Sequence, residues 1–371
     1  MKILYTNFHP RNGGGHVTYI MNLARGLGGA HAITVATPGT SRLYRYAGEL
    51  PGVRTVDMRF RSRASALLSE PSRLRRLIVE QGFDLIHVNG SADHRLVMLA
   101  TLGMRRPPIV FTKHNDLRLD TIGHRMRARL ATDQVIAVSE FVAGLLRRSA
   151  YGRLPITTVY HGIDTDYFSP PSEALRPALR EKYFGPTAPG KILLGSAGGT
   201  DYEKGWLDLL AGLALLDPAE RQRFRVLVAG DPPTEEKMAR VRELGLQDQV
   251  VFPGLLDDVR PALAACDVGF VLSYREALSF ACREVMSLGL PALVSDAGGL
   301  PENVRDGHDG WIVPVRSPQA IAGVLRGMLA DPGRIAAMGA AARERSLHEF
   351  NLSRFVSATL AVYRQALGRA A

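Results

Sequence analysis

Two glutamates eight positions apart, Glu276 and Glu284, are the residues of this 371-residue chain best suited to chemistry. They bound the run Tyr274-Arg275-Glu276-Ala277-Leu278-Ser279-Phe280-Ala281-Cys282-Arg283-Glu284. A carboxylate accepts two or more hydrogen bonds, which suits the hydroxyls of a sugar or a ribose. Glu276 falls in a loop after an apolar run, and Glu284 falls inside the helix that follows. Apolar neighbours Ala281, Val285, Met286 and Leu288 surround Glu284, so its carboxylate needs a partner. Free backbone N–H groups near Ser279 and Phe280 suit a diphosphate. The ordinary alternative is one surface glutamate and one on a helix face.

Three glycine loops accompany this run. Gly198-Gly199-Thr200-Asp201-Tyr202-Glu203-Lys204-Gly205 places a lysine just ahead of a helix, where it can meet a phosphate as a point charge. It lacks the G-K-[ST] spacing of a P-loop. Asn12-Gly13-Gly14-Gly15-His16 lets a ligand approach backbone at a helix start, although a tight strand-to-helix turn needs glycine anyway. Ala297-Gly298-Gly299-Leu300-Pro301-Glu302 repeats that composition in the second half of the chain.

These loops need elements that position them. Apolar strand-like runs at Ile3–Tyr5, Ala32–Ala36, Asp84–Val88, Ile109–Thr112, Gln134–Val138 and Thr157–Tyr160 alternate with helical spacing, as in His16–Leu27. His161-Gly162-Ile163-Asp164 and Phe168-Ser169-Pro170-Pro171 interrupt the alternation. It restarts with Lys191–Ser196, Arg225–Ala229, Val250–Phe252, Val268–Leu272, Pro291–Val294 and Gly310–Val313. Helices are expected over Trp206–Leu216, Thr234–Leu244 and Val259–Ala265. Strand, helix, strand at this spacing means parallel α/β sheets, whose ligands bind beyond the carboxyl ends of the strands. We expect two Rossmann-like doubly wound domains: residues 1–165, then 166–350. The amphipathic helix 353–367 is expected to pack back on the first.

Composition narrows the class. Hydrophobic residues are 46% and charged residues 22%, enough for two cores. Cys266 and Cys282 sit in apolar patterns and cannot build a disulfide framework or a zinc cluster. The start MKILYTNF reads as a buried strand rather than a leader, and no run nears the roughly 20 apolar residues of a bilayer span. These features suggest a cytoplasmic location. The net charge of +10 lies wholly in Met1–Asp164, where 23 basic face 11 acidic residues. Such one-sided charge attracts anions. Arg54, Arg59, Arg61, Arg63, Arg73, Arg75 and Arg76, mixed with Leu67, Leu68, Leu74 and Leu77, could rest on an anionic membrane. The ordinary alternative is a solvated arginine face over a packed leucine stripe. Nucleic acid is a poor fit: aromatics are 7% and no binding motif of that class is present.

Together these residues resemble retaining GT-B glycosyltransferases of glycosyltransferase family 4, over nearly the whole chain. Further landmarks are Asp84-Leu85-Ile86-His87, Ala137-Val138-Ser139-Glu140, His161-Gly162-Ile163-Asp164 with Phe168, and Val228-Ala229-Gly230-Asp231. The resemblance implies that two domains face a central cleft and that a nucleoside-diphosphate sugar is the donor. It implies that Glu284 binds the ribose, Glu276 faces the donor sugar, and Lys204 neutralises the diphosphate. Backbone at Leu278, Ser279 and Phe280 would cradle phosphate, with Gly14 and Gly15 approaching from the first domain. Loops near Gly199, Asp231 and Gly254 would contact the donor, and His114 would lie near the sugar. The acceptor would be lipid-linked, lipopolysaccharide or another glycan, met by the basic half at the inner face of the membrane. No cofactor and no metal are expected: Asp257-Asp258 reads as a helix start. Two departures stand out. Gly199 replaces a common arginine, and His87-Val88-Asn89 replaces a common His-x-His. A nucleotide-sugar 2-epimerase and a catalytically silent sugar-nucleotide-binding module share the architecture.

Overall fold

The computed structural model describes residues 1–11, 14–60, 66–186 and 188–370, with side chains of 66–68, 369 and 370 set aside. Arg61, Arg63, Leu67, Leu68 and the Asn12-Gly13 part of the first glycine loop therefore lie outside what is described. The chain divides into two compact units, Met1–Gly162 with Leu352–Ala371, and Ile163–Asn351.

The first unit carries β1 (Lys2–Thr6), β2 (Ala32–Thr37), β3 (Val53–Asp57), β4 (Leu85–Val88), β5 (Ile109–Lys113), β6 (Gln134–Ala137) and β7 (Ile156–Thr158). They form one parallel sheet in the order β3-β2-β1-β4-β5-β6-β7. Ile3, Leu4 and Tyr5 are all fully buried, as a parallel strand covered on both faces demands. The strand β3 has no counterpart among the sequence expectations. It is an edge strand of alternating, half-buried residues, and its short apolar content gives no strong period. The seventh strand falls at Ile156–Thr158, a little ahead of the expected Thr157–Tyr160, although Val159 still donates to Ala137 O at 2.9 Å.

The final helix, Leu352–Ala370, belongs to this first unit. Tyr363 Oη lies 2.9 Å from Tyr5 Oη and 2.5 Å from His87 Nδ1, and Phe355 meets Tyr19 with ring centroids 5.1 Å apart. A side chain at Gly26 would strike Val356, so the bare glycine lets this helix approach. In the basic stretch, Leu74 is fully buried and Arg75 donates to Leu102 O at 2.8 Å. That part of the leucine pattern packs inward.

The second unit carries β8 (Ile192–Ser196), β9 (Phe224–Val228), β10 (Val250–Val251), β11 (Val268–Val271), β12 (Ala292–Ser295) and β13 (Gly310–Val313). Its parallel sheet runs β10-β9-β8-β11-β12-β13. Side chains alternate across it. Leu194, Val226, Val228 and Phe270 pack with Trp206, Leu209 and Leu213 on one face. Leu193, Leu227, Val271 and Val294 pack with Cys266, Cys282 and Met286 on the other. Both cysteines are free and buried, acting as small apolar groups.

In each sheet the chain starts near the middle and reverses its direction of winding. The switch falls between β1 and β4 in the first unit, and between β8 and β11 in the second. Crossovers leave a crevice at such a point, beyond the carboxyl ends of the strands. Loops that carry candidate residues leave from those very strands.

Candidate functional site

In the second unit the loops after β8, β9, β11 and β12 are tied into one frame. Thr200 Oγ1 donates to Asp231 O at 2.6 Å, Gly199 N to Ala229 O at 3.2 Å, and Gly230 N to Gly254 O at 3.0 Å. Tyr274 N donates to Glu203 O at 2.8 Å, which joins the lysine loop to the glutamate loop. Gly299 N donates to Glu276 O at 3.0 Å, and Ser295 Oγ to Ser273 O at 2.6 Å. Glycine makes the tightest of these approaches possible. A Cβ at Gly205 would sit 1.9 Å from Leu272 O, and one at Gly230 would sit 2.5 Å from Gly199 Cα. Lys204 closes the short 3-10 turn Tyr202–Lys204 and is half-buried.

The glutamate run folds as loop then helix. The helix Phe280–Ser287 starts at Ser279, whose hydroxyl accepts from Cys282 N at 3.2 Å. Ser279 has φ 112°, a conformation that L residues rarely adopt. Strain of this kind is kept where surrounding structure enforces it, often at functional positions. The following turn is anchored as well: Asn303 Nδ2 donates to Leu278 O at 2.7 Å, while its Oδ1 accepts from the buried Arg283 at 2.7 Å. Glu284 emerges one turn into the helix as a partly buried carboxyl group. Burial pushes its pKa up to about 7, because no countercharge offsets the lost hydration. Glu276 is half-buried in the loop above it in sequence.

Other expectations are met or altered locally. The glycine loop after β12 leads into a short 3-10 turn, Leu300–Asn303, closed by Asn303 Nδ2 donating to Leu300 O at 2.9 Å. Asp258 Oδ1 accepts from Arg260 N at 3.0 Å at the start of the helix Arg260–Ala264, and its Oδ2 pairs with the Arg260 guanidinium at 2.7 Å. Gly199 has φ 91°, with open space where a Cβ would stand. Its backbone conformation, not crowding, is what favours glycine there. Among the described residues no three of His, Cys, Asp and Glu gather as a metal-holding group.

The first unit holds a second cluster at its own switch point. Gly14 precedes the helix Gly15–Leu27 with φ 49°, and Val17 N donates to Gly14 O at 3.0 Å. His16 stacks near His114 and His9, with centroids 4.3 and 4.6 Å apart. His114 Nε2 lies 3.0 Å from Asn89 Oδ1. Asn89 Nδ2 donates to Thr6 O and His87 O, so its oxygen is the acceptor, and His114 carries its proton on Nε2. Burial lowers the His114 pKa well below the usual value, and His16 is brought down to about 3 by burial and by His9 and Lys113. Asp93 Oδ2 accepts from Thr6 Oγ1 at 2.8 Å and from Asn89 N at 2.9 Å. Burial raises that carboxyl to about 7 and lowers Lys113 to about 8. Nδ1 of His16 and His114, Nε2 of His9, Oδ1 of Asp93 and both side-chain atoms of Asn7 are buried without a hydrogen-bond partner among the described residues.

Sequence reasoning singled out His114 here but missed Asn7, His9, Asp93 and Lys113. Lys113 carried a usable signal: a lysine directly after the buried strand run Ile109–Thr112. Asp93 carried none, since it lies in a helix and only the fold brings it beneath Thr6. In the second unit Asn303 and Arg283 were missed for the same reason.

One pocket of about 560 Å³ lies away from these loops, at the amino ends of the second sheet, beside Lys191, Arg223 and Asp267. Three of its arginines are already engaged. Arg176 and Arg180 both pair with Asp267, and Arg343 donates to Thr165 O, Phe168 O and Ser287 O. We place the functional site at the carboxyl ends instead.

Known proteins identify the family. Residues 13–167 match the family model described as Glycosyltransferase Family 4, and residues 180–345 match Glycosyl transferases group 1. A GDP-mannose-dependent alpha-(1-6)-phosphatidylinositol monomannoside mannosyltransferase of Mycolicibacterium smegmatis is 29% identical, over 93% of each chain. A D-inositol 3-phosphate glycosyltransferase of Streptomyces bingchenggensis is 31% identical over 64% of this chain and 54% of its own. The fold matches the crystal structure of Anabaena Alr3699/HepE in complex with UDP, with a TM-score of 0.85 and 20% identity, covering 98% of this chain and 100% of that one. With two parallel α/β sheets, both family matches and these relatives, the chain belongs to glycosyltransferase family 4, has the GT-B fold, and is a glycosyltransferase that uses nucleotide-sugar donors.

Proposed function

We propose that this enzyme transfers its sugar with retention of anomeric configuration and without a metal. The acceptor is a lipid-linked, lipopolysaccharide or other glycan hydroxyl. The observation that carries the reading is the bond from Tyr274 N to Glu203 O, which locks the Lys204 loop to the Glu276 loop at the switch point of the second sheet. Lys204 and the backbone N–H groups at Ser279 and Phe280 then supply positive potential for the departing diphosphate. Fixed donors of this kind act without reorganising, which is the role a metal plays elsewhere.

Roles follow from the chemistry of each group. Glu284 accepts from ribose hydroxyls, whose hydrogen bonds favour the ionised form of a carboxyl otherwise held near pKa 7. Glu276 accepts from sugar hydroxyls. The backbone near Gly199, Asp231 and Gly254 borders the base, and Leu278 fixes the turn. In the first unit, Gly14, Gly15 and His114 are assigned to the sugar end of the substrates. The unpartnered polar atoms of Asn7, His16, Asp93 and His114 support a hydroxyl-rich ligand there, because buried polar groups ordinarily find partners. The basic first half is assigned to an anionic acceptor, at a cytoplasmic membrane surface.

Donor choice can be tested with GDP-mannose, the donor named for the mycobacterial relative, and UDP-glucose, present in a HepE structure. We expect one class to raise the melting temperature and to be hydrolysed slowly without acceptor. Hydrolysis should fall at least about a hundredfold in Glu276→Ala and Lys204→Ala, by analogy with loss of one transition-state donor. Undiminished hydrolysis in both variants would discard the site. Product anomer analysis by NMR tests retention, and activity in excess chelator tests the metal-free chemistry.

A further inference from the structure

The helix Ile122–Leu130 is turned the wrong way round for an ordinary surface helix. Amphipathic helices bury their large apolar residues and expose their charges. Here Arg127 and Ala128 are the buried residues, at 6% exposure each. Ile122, Met126 and Leu130, spaced one turn apart, are 73%, 45% and 41% exposed. Leu117, just before the helix, is 56% exposed. Spacing of i, i+4 and i+8 puts the three helical side chains on one stripe.

The turn is held firmly. Thr121 and His124 form a reciprocal capping box at the start. At the other end His94 Nε2 lies 2.9 Å from Ala131 O, Thr132 Oγ1 donates to Arg127 O at 2.9 Å, and Arg106 Nε donates to Leu130 O at 3.3 Å. The exposed stripe is therefore built in, not frayed.

Arginines rim it. Arg118, Arg125 and Arg129 are exposed beside the stripe, and Asp120 is the one acidic residue between Leu117 and Leu130. Exposed Arg105 and Leu102 lie in the turn that Arg106 ties to Leu130. Apolar side chains flanked by arginines match a bilayer surface bearing anionic head groups: the stripe enters the acyl boundary while the guanidinium groups meet phosphate. A second copy of the chain fits poorly, since a symmetric contact would set like charges against each other.

We propose that the stripe Ile122, Met126 and Leu130, with Arg118, Arg125 and Arg129, docks the first unit on an anionic membrane. This deepens the proposed membrane-side acceptor and rests on that reading, but it moves the contact from the 54–77 stretch to this helix. The helix also leads on from His114, the end of the unit assigned to the sugar.

The test is co-sedimentation of the full chain with phosphatidylcholine vesicles, with and without phosphatidylglycerol. Wild type should pellet only with the anionic vesicles. Ile122→Ser/Met126→Ser and Arg125→Gln/Arg129→Gln should each partition about tenfold less or worse. Donor hydrolysis should stay unchanged in both, since none of these residues is assigned to the chemistry. Met126→Trp adds a tryptophan to a unit that has none, because Trp206 and Trp311 both lie in the second. Its emission should shift blue on anionic vesicles. Variants that pellet like wild type, an unshifted tryptophan, or a wild type that ignores anionic vesicles would overturn the proposal. So would a dimer that the serine variants dissociate without lipid. Vesicle binding without donor hydrolysis would instead strike the transferase chemistry and leave the docking surface standing.

Discussion

At the scale of single residues, Asn89 shows how one substitution redefines a neighbour. A second histidine at this position could offer either nitrogen to His114. The amide of Asn89 is pinned by Thr6 O and His87 O, so it can only accept, and His114 must donate from Nε2. The Nδ1 lone pair is then the free end, positioned to accept from a hydroxyl. Asn89→Ala removes the acceptor and leaves a buried N–H unpaired, a cost of about 1–3 kcal/mol. We expect imidazole nitrogen NMR to show a mixture of tautomers in the variant and a single Nε2–H form in the wild type. Catalytic efficiency should fall about tenfold alongside. A single tautomer in both proteins would show that something else sets the ring.

At the scale of elements, the proposed site is held by loop-to-loop bonds more than by the helices themselves. Gly205 is the clearest joint. It has φ 68° and passes under Leu272 O where no Cβ fits. Gly205→Ala must both strain the backbone and push the two loops apart. We expect a loss of more than about 2 kcal/mol in urea unfolding, and donor affinity should drop with it as Lys204 shifts. An alanine variant that is as stable and binds the donor as tightly as wild type would show that the joint is slack. Gly199→Ala, with open space around it, should cost only the backbone term of about 1–2 kcal/mol.

At the scale of the whole molecule, charge and burial are divided unevenly between the units. His16, His87 and His94 in the first unit are all brought down to about 3, chiefly by burial. In an unfolded chain they would titrate near 6.5. Their neutral forms fit the fold, so the stability they contribute is fully present above about pH 6.5 and is lost as pH falls towards 3. Each fully buried ring then costs on the order of 1 kcal/mol per pH unit. Asp93 in the first unit and Glu284 in the second carry the opposite trend: each raised pKa makes folding less costly as pH drops from about 7 towards the unfolded value, but in the first unit one carboxyl stands against three histidines. We expect the first unit to melt well before the second at pH 5, and the gap to narrow at pH 8. Hydrogen exchange followed by peptide mapping would show it, and equal loss of protection in both units at pH 5 would refute it.

The βαβ alternation, the parallel sheets and the loops bearing Lys204, Glu276 and Glu284 were legible in the chain because they depend on local periodicity and on glycine, lysine and glutamate at set intervals. The alternation hid β3, whose edge position removes the continuous apolar run that marks an inner strand. It also shows that the helix Ile122–Leu130 carries apolar residues without showing that they face outward. That choice depends on the neighbouring Thr132 and on His94 and Arg106, which come from distant positions. The same holds for the polar cluster of Asn7, His9, His16, Asp93 and His114. Its members are scattered over more than a hundred positions, and only the order β1-β4-β5 of the sheet brings their strands side by side. Residue types and spacing thus determined which chemistry the chain carries and roughly where each loop begins. Tertiary structure decided which groups are buried, which nitrogen of His114 holds the proton and which helix shows its apolar side, because burial and partners are set by contacts between positions far apart in sequence.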